Sequence, residues 1–119
     1  VAETAVINAS PLIFLARSRH LELLQSFAQT VWVPEPVANE ILRRGHHDIT
    51  AQAIENTSSL TIRPVPDIPT AILEWRLGAG ESATLALAHV HDLEAIIDHL
   101  AGRKCPATPR MIRRRHPYP

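Results

Sequence analysis

Asn8 and Asp98 each close a short apolar run, Ala5-Val6-Ile7 in one case and Ala95-Ile96-Ile97 in the other. Such runs read as buried strands. In open parallel sheets, sites form beyond the carboxyl ends of strands, where the strand order reverses. Glu81 follows Gly78-Ala79-Gly80 and opens an Ala- and Leu-rich segment. Helical spacing puts it on one stripe with Leu85 and Ala88, and a carboxylate on a sheet-facing stripe costs desolvation unless something compensates it. Glu40 lies beside the stripe of Val37 and Ile41. Taken singly, each has a plainer explanation. Asn8 and Asp98 can cap the helices that follow them, Glu81 suits a helix macrodipole, and Glu40 can be a solvated flank residue. Taken together they suggest metal chemistry, because clustered carboxylates repel one another without a cation among them. Mg²⁺ and Mn²⁺ prefer oxygen ligands and keep several waters. Such an ion activates water and offsets the charge of a phosphodiester undergoing in-line displacement.

That chemistry needs acids from distant chain positions held by a rigid sheet. Ser10-Pro11 reads as the N-cap and first residue of a helix whose positions Leu12, Ile13, Leu15 and Ala16 face the sheet. A second helix follows through Leu21, Leu23, Leu24 and Phe27. Thr30-Val31-Trp32-Val33 reads as a strand. Pro34-Glu35-Pro36 then opens a helix that runs to about Arg44 and stops at Gly45. A short helix spans about Ile49 to Asn56, and Leu60 to Arg63 is a strand closed by Pro64, Pro66 and Pro69. Gly78-Ala79-Gly80 is a turn, Glu81 to His91 a helix, and Ala95 to Asp98 a strand. Alternation of this kind predicts an α/β sandwich with a mainly parallel sheet and helices on both faces.

The chain has 119 residues, enough for one domain. It is 45% hydrophobic and only 4% aromatic, so the core must be aliphatic. The formal net charge is +0, so nucleic-acid binding cannot rest on an overall basic field and needs local patches. Cys105 is the single cysteine, which excludes an internal disulfide and a zinc–thiolate cluster. No apolar stretch reaches about 18 residues, and no signal-peptide pattern is present. A cytoplasmic protein without membrane association is expected. Residues 106 to 119 differ in composition: Pro106, Pro109, Pro117 and Pro119 flank Arg110, Arg113, Arg114 and Arg115. They are expected to form a basic, Pro-rich, poorly ordered tail after a domain spanning residues 1–105.

Four short stretches resemble the PIN-domain family. Val6-Ile7-Asn8-Ala9-Ser10-Pro11-Leu12-Ile13 resembles the opening strand and helix, with Asn8 where the first acid stands and Ser10 matching a Ser or Thr two residues later. Pro34 to Ile41 resembles the helix carrying the second acid, which maps to Glu40. Gly78-Ala79-Gly80-Glu81-Ser82-Ala83 resembles the glycine turn and third acid, Glu81. Ile96-Ile97-Asp98-His99 resembles the strand end with the fourth, Asp98. The wording Asn-Ala-Ser-Pro-Leu-Ile with Gly-Ala-Gly-Glu-Ser is similar to a prokaryotic branch close to VapC-type toxins. The resemblance implies a PIN-like three-layer sandwich and a Mg²⁺- or Mn²⁺-dependent endoribonuclease, the toxin of a toxin–antitoxin pair. It places Asn8, Glu40, Glu81 and Asp98 at the metal, and Glu40, Glu81 and Asp98 as the catalytic acids. Ser10 would orient Asn8. The implied partners are RNA, a cognate antitoxin and a second copy of the chain. Arg43, Arg44, Arg103 and Lys104 could hold phosphates, or form a solvated basic face.

Three departures bear on activity. Asn8 stands where an Asp is usual, and an amide oxygen adds no charge. His99 stands where many relatives have a further Asp. Relatives continue past the position of Cys105 with a helix, a fifth strand and a final helix. The change in composition there leads us to expect a truncated or frame-shifted end and a sheet without that strand. These departures motivate the competing reading, a catalytically degenerate binding module that contacts an antitoxin or its own dimer partner. Other features carry less. His46-His47 and His89-x-His91 lack the shared face that zinc needs. Glu81-Ser82 with Asp98-His99 lacks a nucleophile elbow. Trp32 and Trp75 could stack bases but suit a core or rim position.

Overall fold

A computed structural model describes residues 2–65, 67, 78–98 and 111–114, apart from the side chains of Ala2, Asp98 and residues 111–114. The described elements are β1 (Ala2–Ile7), α1 (Ala9–Arg17), a 3₁₀ helix (Leu21–Ser26), β2 (Ala28–Pro34), α2 (Glu35–Leu42), α3 (Ile49–Asn56), β3 (Leu60–Arg63), α4 (Ala79–Val90), β4 (Glu94–Asp98) and β5 (Met111–Arg114). They form an α/β fold of the expected kind. The sheet order is β3-β2-β1-β4-β5, and the first four strands are parallel. Chain order therefore reverses at β1, which pairs Val6 with Trp32 of β2 on one side and Ile7 with Ile96 of β4 on the other.

Ala5, Val6 and Ile7 are fully buried, so the second half of β1 has no solvent face, while Glu3 near its start is exposed. Strand periodicity sorts its side chains into two clusters. Ala5 and Ile7 join Leu12, Leu15, Val31, Val33, Val37, Ile41, Ile54 and Ile96 on the side served by α1, α2 and α3. Val6 joins Ala95, Ile97 and the α4 residues Leu85 to Ala88 on the other, with Trp32, Val65 and Leu93 packed at its margin. The core is aliphatic, as a chain this poor in aromatics requires.

Two helix starts differ from expectation. α1 begins at Ala9, and its N-cap is Asn8 rather than Ser10. Asn8 is extended at φ −83° and ψ 168°, and its Oδ1 accepts from the Ala9 N–H at 2.8 Å. The cap thus forms as soon as the strand ends, and Pro11 falls inside the first turn. α4 begins at Ala79 with Gly78 as N-cap, so Ala79 and Gly80 are helical rather than part of a turn.

The segment after α1 is a 3₁₀ helix instead of an α-helix. Leu21, Leu24 and Phe27 pack on the core, while Leu23 is exposed. That spacing of three is the 3₁₀ repeat. α3 starts where the sequence indicates. Its N-cap Asp48 accepts from the N–H groups of Thr50 at 2.9 Å and Ala51 at 3.2 Å. Among the described residues, no helix is long and apolar enough to cross a membrane.

The expectation of a sheet without a further strand is corrected. Met111 to Arg114 pairs antiparallel with β4, from Asp98↔Met111 to Ala95↔Arg114. Pro109 and Pro117 lie outside these four residues, so the prolines that disfavour a strand stop short of it. An Arg-bearing strand also suits a sheet edge. Cys105 and the domain boundary expected there lie outside the described residues.

β5 covers the outer edge of β4. A chain ending at residue 110 should therefore self-associate more in size-exclusion chromatography and melt at a lower temperature than one ending at residue 114. Indistinguishable behaviour of the two would show that β5 contributes nothing to either property.

Candidate active site

The reversal of strand order brings the carboxyl ends of β1 and β4 side by side. The Asn8 N–H donates to the Ile96 carbonyl at 3.0 Å, and Asp98 ends β4 two residues later. α1 and α4 both begin at this edge. α2 lies alongside, presenting Pro36, Asn39, Glu40 and Arg43 at helical spacing, while Val37, Ala38 and Ile41 are buried behind them. These elements enclose an open recess of about 810 Å³, lined by those four α2 residues, Asn8, Ala9 and Ser10, and Gly78 to Glu81. That volume is within the range of small-ligand sites.

Gly80 is the point where the elements converge. A Cβ built on it would lie 3.3 Å from Val37 Cγ2, 3.4 Å from Asn8 Oδ1 and 3.7 Å from Glu40 Oε2. Asn8 and Glu40, 32 positions apart in the sequence, thus bring oxygens within 4 Å of one place. Gly78, by contrast, has nothing within 4 Å of such an atom. The motif's two glycines therefore differ: Gly80 leaves room, and Gly78 caps. The Thr84 hydroxyl donates to the Gly80 carbonyl at 2.8 Å, and the Ser82 N–H to the Gly78 carbonyl at 2.9 Å, which fix the first turn of α4.

Glu81 lines the recess from that turn and is half-buried. Its stripe with Leu85 and Ala88 does not single it out, because every residue from Ser82 to Ala88 is buried. Its place in the first turn does. Asn8 Oδ1, although it caps Ala9, is a carbonyl oxygen with a second lone pair. Among the described residues, no three His, Cys, Asp or Glu side chains come together as a metal-holding group. The described donors are two carboxylates and one amide oxygen. All are hard oxygen donors lining one recess, and two of them, Asn8 Oδ1 and Glu40 Oε2, lie within 4 Å of the gap that a Cβ on Gly80 would fill, a donor set that fits a hard divalent cation rather than zinc.

The other candidate residues separate. Ser10 lines the recess but is exposed, and the hydrogen bond holding Asn8 Oδ1 comes from the Ala9 backbone. Arg43 lines the recess, and its backbone N–H at 3.1 Å and Nε at 3.3 Å both donate to the Asn39 carbonyl. Arg44 instead faces Asp48 at 4.0 Å and is not part of the lining. Arg103, Lys104, His99 and Trp75 lie outside the described residues. His46 is exposed, 3.9 Å from Glu55. Trp32 packs on the second core cluster with the Arg63 guanidinium 4.3 Å above its ring and His91 edge-on at 5.1 Å, so its surroundings are already occupied.

Sequence reasoning passed over Asn39. The signal was available: it stands three residues after Pro36 and four before Arg43, on the stripe that carries Glu40.

A family model described as a PIN domain matches residues 4–111, most of the chain and the first residue of β5. No curated protein and no solved structure gives a significant match.

The two glycines predict opposite results. Gly80→Ala should weaken Mn²⁺ binding several-fold in a titration by placing a methyl group in the gap beside Asn8 Oδ1 and Glu40 Oε2, even though Ala favours a helix by about 1 kcal/mol. Gly78→Ala should leave the affinity unchanged. Equal affinities in both variants would show that the gap at Gly80 has no part in cation binding.

Proposed function

This chain belongs to the PIN-domain family, and on that premise we propose that it is a Mg²⁺- or Mn²⁺-dependent endoribonuclease, the toxin of a toxin–antitoxin pair. PIN domains are generally nucleases and typically use a divalent metal. The observation that carries the reading is the convergence of Asn8 Oδ1 and Glu40 Oε2 on the gap at Gly80, with Glu81 in the same recess. Asn8, Glu40, Glu81 and Asp98 would hold the ion, directly or through water. When bound, such an ion supplies charge neutralisation at a phosphodiester and activation of water.

The chain's own residues divide the remaining work. Glu40 and Glu81 approach from two helices, so the geometry between them is set by packing rather than by one flexible loop. Asn8 contributes orientation and a neutral oxygen, held in place by its cap to Ala9. Arg43 stands at the rim, where a guanidinium can take a non-bridging phosphate oxygen. The toxin role, a cognate antitoxin and a homodimer rest on the similarity of Asn8-Ala9-Ser10-Pro11 and Gly78 to Ser82 to VapC-type sequences.

One observation favours the second reading, a binding module without turnover. The first acid is an amide already engaged in capping α1, so the site carries one negative charge fewer than a set of four acids. Mn²⁺ titration separates the readings. A chain that binds no Mn²⁺ at millimolar concentration yet captures an antitoxin is the binding module.

For the nuclease, wild type should cleave single-stranded RNA with Mn²⁺, and Asp98→Ala should reduce the rate by on the order of 100-fold or more. Full activity in Asp98→Ala would remove that residue from the site. Asn8→Asp keeps a good N-cap and adds a charge, so it should lower the Kd for Mn²⁺ several-fold. An unchanged Kd would show that position 8 does not face the ion.

A further inference from the structure

We propose that Asn39 is a specificity-determining residue that contacts the nucleotide flanking the scissile phosphate. The inference rests on the ribonuclease reading and extends it from phosphate chemistry to substrate choice. Asn39 lines the recess on the α2 stripe that also carries Glu40 and Arg43. Its main chain and side chain have separate tasks. The carbonyl takes both the N–H and the Nε of Arg43, at 3.1 and 3.3 Å. The side-chain amide is exposed and makes no hydrogen bond to another described residue. Arg43 thus holds its Nε against the Asn39 main chain and leaves the Asn39 side chain to the recess.

The chemistry of the lining then distinguishes Asn39 from its neighbours. Glu40 and Glu81 are acceptors suited to a cation, and Arg43 is a donor suited to a phosphate. Asn8 Oδ1 is taken by the α1 cap and, on the ribonuclease reading, by the cation. Asn39 offers a donor and an acceptor together on one planar group, next to both the acidic and the basic element. Groups that present a donor and an acceptor in return are a nucleobase edge and the 2′-hydroxyl of a ribose. A nucleotide whose phosphate lies between Glu40 and Arg43 brings one or the other to Asn39. A wholly solvated amide, the plainer alternative, would be indifferent to both.

The test is binding, so it does not depend on turnover. Fluorescein-labelled ten-residue homopolymers of rA, rC and rU, and of dA and dC, are titrated by fluorescence anisotropy in Ca²⁺ with wild type, Asn39→Ala and Arg43→Ala. Circular dichroism and thermal melts check that the variants fold. Wild type is expected to prefer one base, or RNA over DNA, by about tenfold or more. Asn39→Ala is expected to flatten that preference, while Arg43→Ala weakens all ligands alike. Loss of the base preference in Asn39→Ala assigns the contact to a base edge. Loss of the RNA-over-DNA preference assigns it to the 2′-hydroxyl. Wild-type discrimination that survives in Asn39→Ala, or a wild type that binds every oligonucleotide equally, overturns the role of Asn39 and leaves the ribonuclease reading standing. A wild type that binds none of them overturns both.

Discussion

A strand with no solvent face must be hydrogen-bonded along both edges, because unpaired backbone groups buried away from water are costly. β1 is that strand here in its second half. Its last three residues, Ala5 to Ile7, are fully buried, and β2 and β4 supply the pairing on either side. The chain meets this requirement by building outward through β2 and β3, then returning to place β4 against the opposite edge of β1. The order reversal that results opens a crevice at the carboxyl ends, and Asn8 stands at its centre. Chemistry at that edge is thus a consequence of how a central parallel strand is satisfied.

Packing then sets which atoms meet there. α2 is anchored by Val37 and Ile41, and α4 by an enclosed run from Ser82 to Ala88. Two helices fixed in this way approach each other only where side chains are small, and Gly80 against Val37 is such a contact. Glu40 and Glu81 sit just beyond it. Gathering acids costs Coulomb energy that the fold alone does not return, and the neutral amide at position 8 lowers that cost.

Most of the fold was legible in the sequence because the apolar runs are short, β-branched and bounded by prolines and glycines. Ala5 to Ile7, Leu60 to Arg63 and Ala95 to Ile97 could scarcely be anything but strands, and Ile49 to Asn56 appears with its expected bounds. The misreadings have physical causes. Ser10-Pro11 resembles a helix start, but the cap had already formed at Asn8, where the backbone was still extended. Leu21, Leu24 and Phe27 repeat every three residues, a period easily taken for part of an α-helical face. β5 was missed because nearby prolines dominated a composition averaged over fourteen positions. The candidate residues of the site were legible as types in order. The site's convergence was not, since that depends on the absent side chain of Gly80. Asn39 escaped notice because a neutral amide on an exposed helical surface has no signature until the recess beside it is known.

The enclosure of α4 has one more consequence. Amide hydrogens exchange with solvent only when their hydrogen bonds open, and opening a segment packed on every side requires the whole cluster around it to loosen. The backbone between Ser82 and Ala88 is therefore expected to exchange as slowly as the buried half of β1. Glu81 and Gly80 are continuous with it, so the floor of the recess is tied to this slow-exchanging segment. α2, with one side of its surface toward the recess and solvent, is tied less tightly. The recess is thus held by two helices of unequal burial: α4, enclosed from Ser82 to Ala88, and α2, which buries Val37, Ala38 and Ile41 and leaves Asn39, Glu40 and Arg43 toward solvent.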